Sequence, residues 1–404
     1  HADVLVVGAG PAGLAAALAA GRAGARVVVA EQSAHLGGEL RSQPVGSPSD
    51  DWLKEIVREL KSMAHVRLLT RTTVFGAYDG GVFGLVERVA DHKLVPSEHE
   101  PRQRYIKLFA KRAVIATGAI ERPIPFADND RPGVMLASAA RAYLNRHAVR
   151  PGRAIVIMTC NDSVYGTASE FVAAGARVTV VDTRSQLTKA ARDAAARGIA
   201  VRCSEAVVGA LGRHRVSGAL VGAFDAVKMS SLGGFDRVDA DLILTSGGFD
   251  PQVHLATQRG HKAQWRADIA GFVTAAAPDI QHHAGAMAGT YGTADCVTSG
   301  YAAGSEAATA AGFAARPGAS APAIDASGLA DLGEAFTPVY DVVPPDSRAH
   351  RKRFIDQQND VSASDLKLAH LEGYVSVEHL KRYTTLGMAT EQGKLSNVIA
   401  LAQM

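Results

Sequence analysis

The stretch from Asp3 to Glu31 restricts the possible folds more than any other part of the chain. It runs Asp3-Val4-Leu5-Val6-Val7, then Gly8-Ala9-Gly10-Pro11-Ala12-Gly13, then a small-residue helix pattern over 14–21, then Arg26-Val27-Val28-Val29-Ala30-Glu31. A β-branched strand, a glycine turn, a helix and a second strand closed by an acid make the dinucleotide-binding unit of a parallel α/β sheet. Gly8 permits the tight turn, Gly10 lets a pyrophosphate approach the backbone, and Gly13 lets helix and strand pack closely. Pro11 and Ala12 lie in the same turn and join the cofactor-binding candidates, and the N-terminus of the helix that follows faces the phosphates. Glu31, followed by Gln32, is placed to accept hydrogen bonds from an adenosine ribose. A glycine triad alone also fits a structural turn, but strand, triad, helix and acid in register favour a nucleotide site.

With 404 residues and 47% hydrophobic content, the chain is long enough for two or three domains with sizeable cores. A net charge of +3, with Lys and Arg scattered rather than striped, gives no reason to invoke nucleic acid. Cys160, Cys203 and Cys296 stand far apart, without the spacing of a disulfide framework or a metal cluster, and a reducing cytoplasm is the simplest compartment. No apolar run reaches the roughly 20 residues of a membrane span. A start at His1, without Met and directly before a core strand, and an abrupt stop at Met404 lead us to expect a piece of a longer polypeptide.

After Glu31, Gly37-Gly38-Glu39-Leu40 is a loop whose backbone can approach a nucleotide, so Gly38 and Glu39 join the candidate set; an ordinary loop is the alternative. Residues 50–64 read as an amphipathic helix with Trp52, Ile56, Leu60 and Met63 on one face. A strand is expected over 66–74, with Thr73 and Val74 where an adenine would lie. The alternation from Phe75 to Leu108 suggests a small antiparallel sheet around a polar hairpin. Ala113-Val114-Ile115-Ala116-Thr117-Gly118-Ala119 reads as a buried strand whose final turn brings Thr117 and Gly118 under the glycine loop.

Near Gly152 the pattern begins again: Ala174-Gly175-Ala176-Arg177-Val178 repeats Ala23-Gly24-Ala25-Arg26-Val27 at an offset of 151, which sets Asp182 on Glu31. The phosphate glycines are not repeated, since Gly8, Gly10 and Gly13 fall on Thr159, Asn161 and Val164. Valine at the close-packing position, with Asp162 beside a pyrophosphate, reads as a disabled second site. Two nested units of this kind resemble the two-dinucleotide-binding-domain flavoprotein fold, whose flavin-binding members usually carry Gly-Asp near the end, the acid holding the ribityl chain of FAD. The corresponding Gly285-Ala286 here offers a methyl group in place of that acceptor, so NAD or another adenine nucleotide fits the first site better than FAD.

We therefore expect an α/β chain with a discontinuous first dinucleotide-binding domain (1–150 and 270–315) and a second Rossmann-like domain with a degenerate glycine loop (151–269). A linker (316–351), with 325–345 given no regular structure, leads to a small C-terminal helical module (352–404). In that module helices are expected over 362–372, with Asp365 in a capping box, and over 376–383. Thr384-Thr385-Leu386-Gly387-Met388-Ala389-Thr390-Glu391-Gln392-Gly393-Lys394 follows. Lys381, Arg382 and Lys394 supply charge, while Thr384, Thr385, Thr390, Gln392 and free backbone N–H groups supply donors. That is a candidate phosphate pocket, and a solvated polar helix end is the alternative.

The strings Gly8 to Gly13, Ala116 to Pro123, Asp128 to Met135, Asp356 to Val361, Lys381 to Thr385 and Gly387 to Lys394 together resemble the alpha subunit of heterotetrameric sarcosine oxidase. The resemblance spans essentially the whole chain, without that subunit's extra N-terminal domain and C-terminal folate-binding domain. It implies partner beta, gamma and delta subunits, FAD and amine oxidation in the beta subunit, and FMN at the alpha–beta interface, where oxygen is reduced to hydrogen peroxide. It also implies tetrahydrofolate as the one-carbon acceptor in the folate domain, and an NAD held by this subunit. Carried over by residue, Gly8, Gly10, Gly13, Glu31, Gly38 and Glu39 would contact NAD, and Thr385, Thr390, Gln392 and Lys394 the FMN phosphate. Relatives with a [2Fe–2S] cluster in this module carry cysteines where Asp356, Gln358, Glu391 and Ser396 stand here, so no iron–sulfur cluster is expected.

No catalytic or metal-ligating residue is assigned. His282 and His283 point to opposite faces of a strand and read as structural, and His35, His254 and His379 have no visible acid or metal partner in the sequence. A stand-alone FAD- and NAD(P)H-dependent reductase is disfavoured by the degenerate second turn, by Ala286 and by the lack of a cysteine pair. A non-catalytic nucleotide-binding scaffold is the third reading.

Overall fold

The computed structural model describes residues 1–274, 280–314, 318, 320–326, 331–333, 336–345 and 350–404. Parts of the expected linker (315–317, 319, 327–330, 334–335 and 346–349) lie outside the described residues. Two compact units are formed: one from His1–Ala119, Pro251–Ala267 and Gly271–Leu329, the other from Ile120–Asp250, Asp268–Ala270 and Ala330–Met404.

In unit one, β1 (Ala2–Val7), α1 (Pro11–Arg22) and β2 (Val27–Ala30) reproduce the expected strand–turn–helix–strand. Next come α2 (Pro48–Ser62), β3 (Val66–Leu69), β4 (Thr72–Tyr78), β5 (Val82–Arg88) and β6 (Gln103–Ile115). Their order in the sheet is β3-β2-β1-β6-β5-β4, and the strand Gln281–His283 also pairs with β6. β6 serves two architectures: Ala110 to Ile115 pair parallel to β1, while Gln103 to Phe109 pair antiparallel to β5. The single strand expected over 66–74 is broken at Arg71, whose φ of 51° lies in the left-handed region, so the chain turns between β3 and β4. The helix expected from residue 50 starts two residues earlier, with the Ser47 hydroxyl accepting from Asp50 N–H, and buries Trp52, Leu53, Ile56 and Leu60.

The helix Thr293–Ala310 lies directly on α1. A Cβ added at Gly300 would stand 2.0 Å from Ala12 O, and one at Gly304 2.2 Å from Ala16 O, so only glycine allows this backbone approach. With the valines of β1 and β2, the alanines of both helices make one closely packed core behind the glycine turn.

Unit two holds a parallel sheet of strands 200–203, 177–182, 154–159, 242–246 and 134–136, in that order, and a three-stranded antiparallel sheet over 205–238. The boundary expected near residue 150 falls inside this unit, because Val134 to Leu136 are already a strand paired with Ile243 to Thr245. The C-terminal module belongs to the same unit: Asn129 exchanges hydrogen bonds with the Phe354 backbone, and Arg353 pairs with Asp341. Its helices Ala363–Leu371 and Val377–Thr384 form as expected, the first with the Ser362–Asp365 capping box and a stop at Gly373. The expectation of a plain linker fails for Val339, Tyr340 and Val342, which are buried. They belong to no helix or named strand, so no helical or strand period marked them.

Candidate functional site

The turn after β1 is shaped by close contacts that exclude side chains at two positions and leave space at a third. Gly8 has φ 93°, and a Cβ there would stand 2.3 Å from Ala116 O; one at Gly13 would stand 1.9 Å from Gly8 O. Around a Cβ built on Gly10, no described residue other than its chain neighbours lies within 4 Å. The N–H groups of Gly10, Ala12 and Gly13 find no acceptor among the described residues, the first intrahelical bond being Leu14 N–H to Gly10 O. Three convergent donors with the positive end of α1 behind them and open space in front suit a pyrophosphate.

Glu31 is buried at the end of β2 and is fixed in place: its carboxylate accepts from Ala9 N–H at 2.9 Å and from Ser33 N–H at 2.8 Å. It braces the glycine turn, and the remaining lone pairs of its oxygens are what a ribose hydroxyl could use. Gln32 and Glu39 are exposed and Val74 is half-buried. Gly37 N–H bonds Ala9 O, and a Cβ on Gly38 would meet Gly10 Cα at 2.8 Å, so the Gly37-Gly38 loop lies against the turn. Thr117 donates to Gln252 O at 2.7 Å, and Gly118, with φ 77°, follows it. Gly285 sits against Ala12, which puts the half-buried Ala286 next to the start of α1. All the candidates of the first domain thus belong to one unit, and the glycine turn, Glu31, Gly38 and Ala286 gather around the N-terminus of α1.

In the degenerate turn of unit two the four N–H groups from Cys160 to Ser163 are all taken. Cys160 N–H bonds Ser246 O, Asn161 N–H bonds the Thr159 hydroxyl, Asp162 N–H bonds Leu332 O and Ser163 N–H bonds the Asn161 side chain. Asp162, expected to repel an anion, is itself engaged by Arg184 at 2.6 Å and Thr188 at 2.8 Å. Asp182, the counterpart of Glu31, takes Arg184 and the Tyr165 hydroxyl, and burial together with this carboxylate pushes the Tyr165 phenol far up, so it stays a donor.

In the C-terminal module the candidate phosphate residues share one helix end and the loop after it, but the expected free backbone donors are already used. Gly387 N–H goes to Asp356, and Gly393 and Leu395 N–H go to Glu391. Thr384 bonds Leu380 O, Thr385 bonds Thr384 O, Thr390 accepts from Gln358, Gln392 bonds Ala389 O and Arg382 pairs with Glu378. Lys381 and Lys394 form no ion pair among the described residues, and Lys394 is exposed. Asp356 also accepts from Gln358 and Asn359 N–H, and Glu391 from Ser396, so the four positions aligned with cysteines are woven into the module's own hydrogen bonding.

His282 faces Glu306 at 3.5 Å and His283 the Thr274 hydroxyl at 3.0 Å, so the two point apart. No group of three or more His, Cys, Asp or Glu among the described residues is placed to hold a metal ion, and no helix there is long and apolar enough to cross a membrane. Sequence reasoning missed Arg122, fully buried in unit two, bonded to Asp250 and Ala270 O and packed on the Tyr340 ring. Burial raises the Asp250 carboxyl against the pull of Arg122. Only the quoted string Glu121-Arg122-Pro123 marked it.

A pyridine nucleotide-disulphide oxidoreductase family model matches residues 2–296, and a sarcosine oxidase A3 domain model matches residues 350–404. The chain is 42% identical over 406 residues to sarcosine oxidase subunit alpha of Rhizobium meliloti (strain 1021), covering 99% of this chain and 39% of that one. It is 42% identical over 412 residues to the subunit of that name from Corynebacterium sp. (strain U-96), covering 99% and 42%. It spans about two fifths of the length of these relatives. A solved L-proline dehydrogenase from P. horikoshii superposes with a TM-score of 0.68 at 21% identity, over 100% of this chain and 74% of the other, which establishes a shared fold.

None of the three cysteines forms a disulfide. Burial pushes the Cys160 thiol up to about 11, despite the pull of Val339 N–H and Arg122. In the folded chain at about pH 8 a thiol-specific reagent should leave Cys160 unmodified, and denaturant should expose it; native-state modification at the denatured rate would contradict this burial.

Proposed function

Since this chain belongs to the pyridine nucleotide-disulphide oxidoreductase family, we propose that it is the cofactor-holding part of the alpha subunit of a sarcosine (N-methyl amino acid) oxidase. In this reading unit one binds NAD, and the C-terminal module contributes to an FMN site shared with an FAD-containing beta subunit, where oxygen is reduced to hydrogen peroxide. Gamma and delta subunits, tetrahydrofolate and a cytoplasmic location belong to the same proposal, which draws on the 42% identity to sarcosine oxidase subunit alpha. In this proposal nucleotide binding belongs to the unit that holds residues 1–119, and 352–404 is the flavin-facing module.

The observation that carries the reading is the open volume over Gly10, faced by the unengaged N–H groups of Gly10, Ala12 and Gly13. A pyrophosphate is held there by backbone alone, and Glu31 orients the adenosine ribose. Ala286 gives a ribityl chain no acceptor, which favours NAD over FAD. A bound flavin supplies electron transfer to oxygen. This chain's own part is to position it: Lys381 and Lys394 offer charge and the Thr390 hydroxyl offers a donor as the loop stands, while Arg382, Thr384, Thr385 and Gln392 would exchange their present partners for the phosphate. No catalytic residue is proposed in this chain. The stand-alone reductase reading loses support because the second turn spends its backbone donors internally.

Denaturing the purified protein should release NAD, identified by mass; FAD from the isolated chain would overturn the assignment of unit one. In the assembled complex, Thr385→Ala combined with Lys394→Ala should lower the FMN content several-fold and leave the beta-subunit FAD in place. Unchanged FMN would refute the module's role.

A further inference from the structure

The second dinucleotide site is both degenerate and filled. In a doubly wound sheet the ligand lies outside the carboxyl ends of the strands, against the turn that follows the first of them. In unit two that region is the Thr159–Ser163 turn and the end of strand 242–246, and a later part of the same chain runs across both. Leu332, 6% exposed, accepts Asp162 N–H at 3.0 Å through its carbonyl oxygen. A Cβ on Gly333, whose φ is 73°, would lie 2.2 Å from Asp162 Oδ2. Phe336 covers Gly248 beyond the end of strand 242–246, so closely that a Cβ there would meet the ring at 2.8 Å. Thr337 N–H then reaches Cys160 O, and Val339 and Val342 enter the core, fixing these described residues in place. Below it, the Asp162 carboxylate receives Arg184 and Thr188, the guanidinium and hydroxyl that an incoming phosphate would need.

We propose that Leu332, Gly333 and Phe336 are an internal ligand of unit two, lying where a dinucleotide would lie, so that this unit is closed to NAD(H) and NADP(H) by its own chain. The loss of the glycines is then the second of two barriers, and replacing them would not reopen the site. External pyridine nucleotide has no docking place from which to deliver hydride through this unit.

The first measurement uses the unmodified protein. Amide hydrogen exchange should show Asp162 N–H protected, and Gly333→Val should speed its exchange about tenfold by lifting the segment off, leaving the amides of strand 154–159 unaffected. Unchanged exchange at Asp162 overturns the proposal. The second counts bound ADP-ribose by equilibrium dialysis on the full chain. Asn161→Gly with Asp162→Ala and Val164→Gly should bind no more than the unmodified protein, and adding Gly333→Val should gain one equivalent per chain. A gain with Gly333 retained, or no gain after its replacement, overturns it. Because the readout is a difference between variants, it stands whether or not unit one holds NAD.

Discussion

The contact on which unit one depends is a backbone-to-backbone approach at the start of α1. Gly13 lies against Gly8 O, Gly8 against Ala116 O, and Gly300 and Gly304 against the backbone of Ala12 and Ala16. Each of these four positions would place a Cβ within 2.3 Å of a carbonyl oxygen, far inside any tolerable contact. The strands and helices can pack this closely only because those side chains are missing. That packing directs the first N–H groups of α1 into open space, and Glu31, tied to Ala9 and Ser33, holds the turn in that shape.

The two βαβ units show what the same scaffold does with and without this constraint. At Thr159, Asn161 and Val164 side chains return; the first two supply acceptors for the Asn161 and Ser163 N–H groups, and backbone carbonyls take those of Cys160 and Asp162. An anion is still present there, but it is the protein's own Asp162, on Arg184 and Thr188. The C-terminal module follows the same logic: Asp356 and Glu391 take the backbone donors of the loop that follows the helix Val377–Thr384. At these two places the chain takes up its own backbone donors, whereas at the first glycine turn the N–H groups of Gly10, Ala12 and Gly13 have no acceptor among the described residues.

Much of this was legible in the sequence because it is local. Gly8, Gly10 and Gly13 act through sterics at single positions, the repeat of Ala23–Val27 at Ala174–Val178 fixes where the second unit's strand ends, and Ser362 with Asp365 caps a helix within four residues. What escaped depends on partners distant in sequence. The spacing that marked Glu31 says nothing of its bonds to Ala9 and Ser33, and the donors counted around Gly393 gave no sign that Glu391 would take them. Leu332, Val339 and Val342 are buried without belonging to a helix or strand, in a stretch of sequence with prolines and no period, so they read as linker. Arg71 breaks a strand by adopting φ 51°, which an arginine does not advertise.

The central claim is that the space over Gly10 belongs to a ligand. Gly10 has φ −74°, which any residue tolerates, and apart from its chain neighbours none of the described residues stands within 4 Å of its Cβ position. Gly10→Val should therefore fold with an unchanged strand content yet purify without its nucleotide, because the side chain fills the space the pyrophosphate needs, and its melting temperature should match that of the parent protein stripped of nucleotide. A Gly10→Val protein that keeps a full equivalent of bound nucleotide would contradict the account.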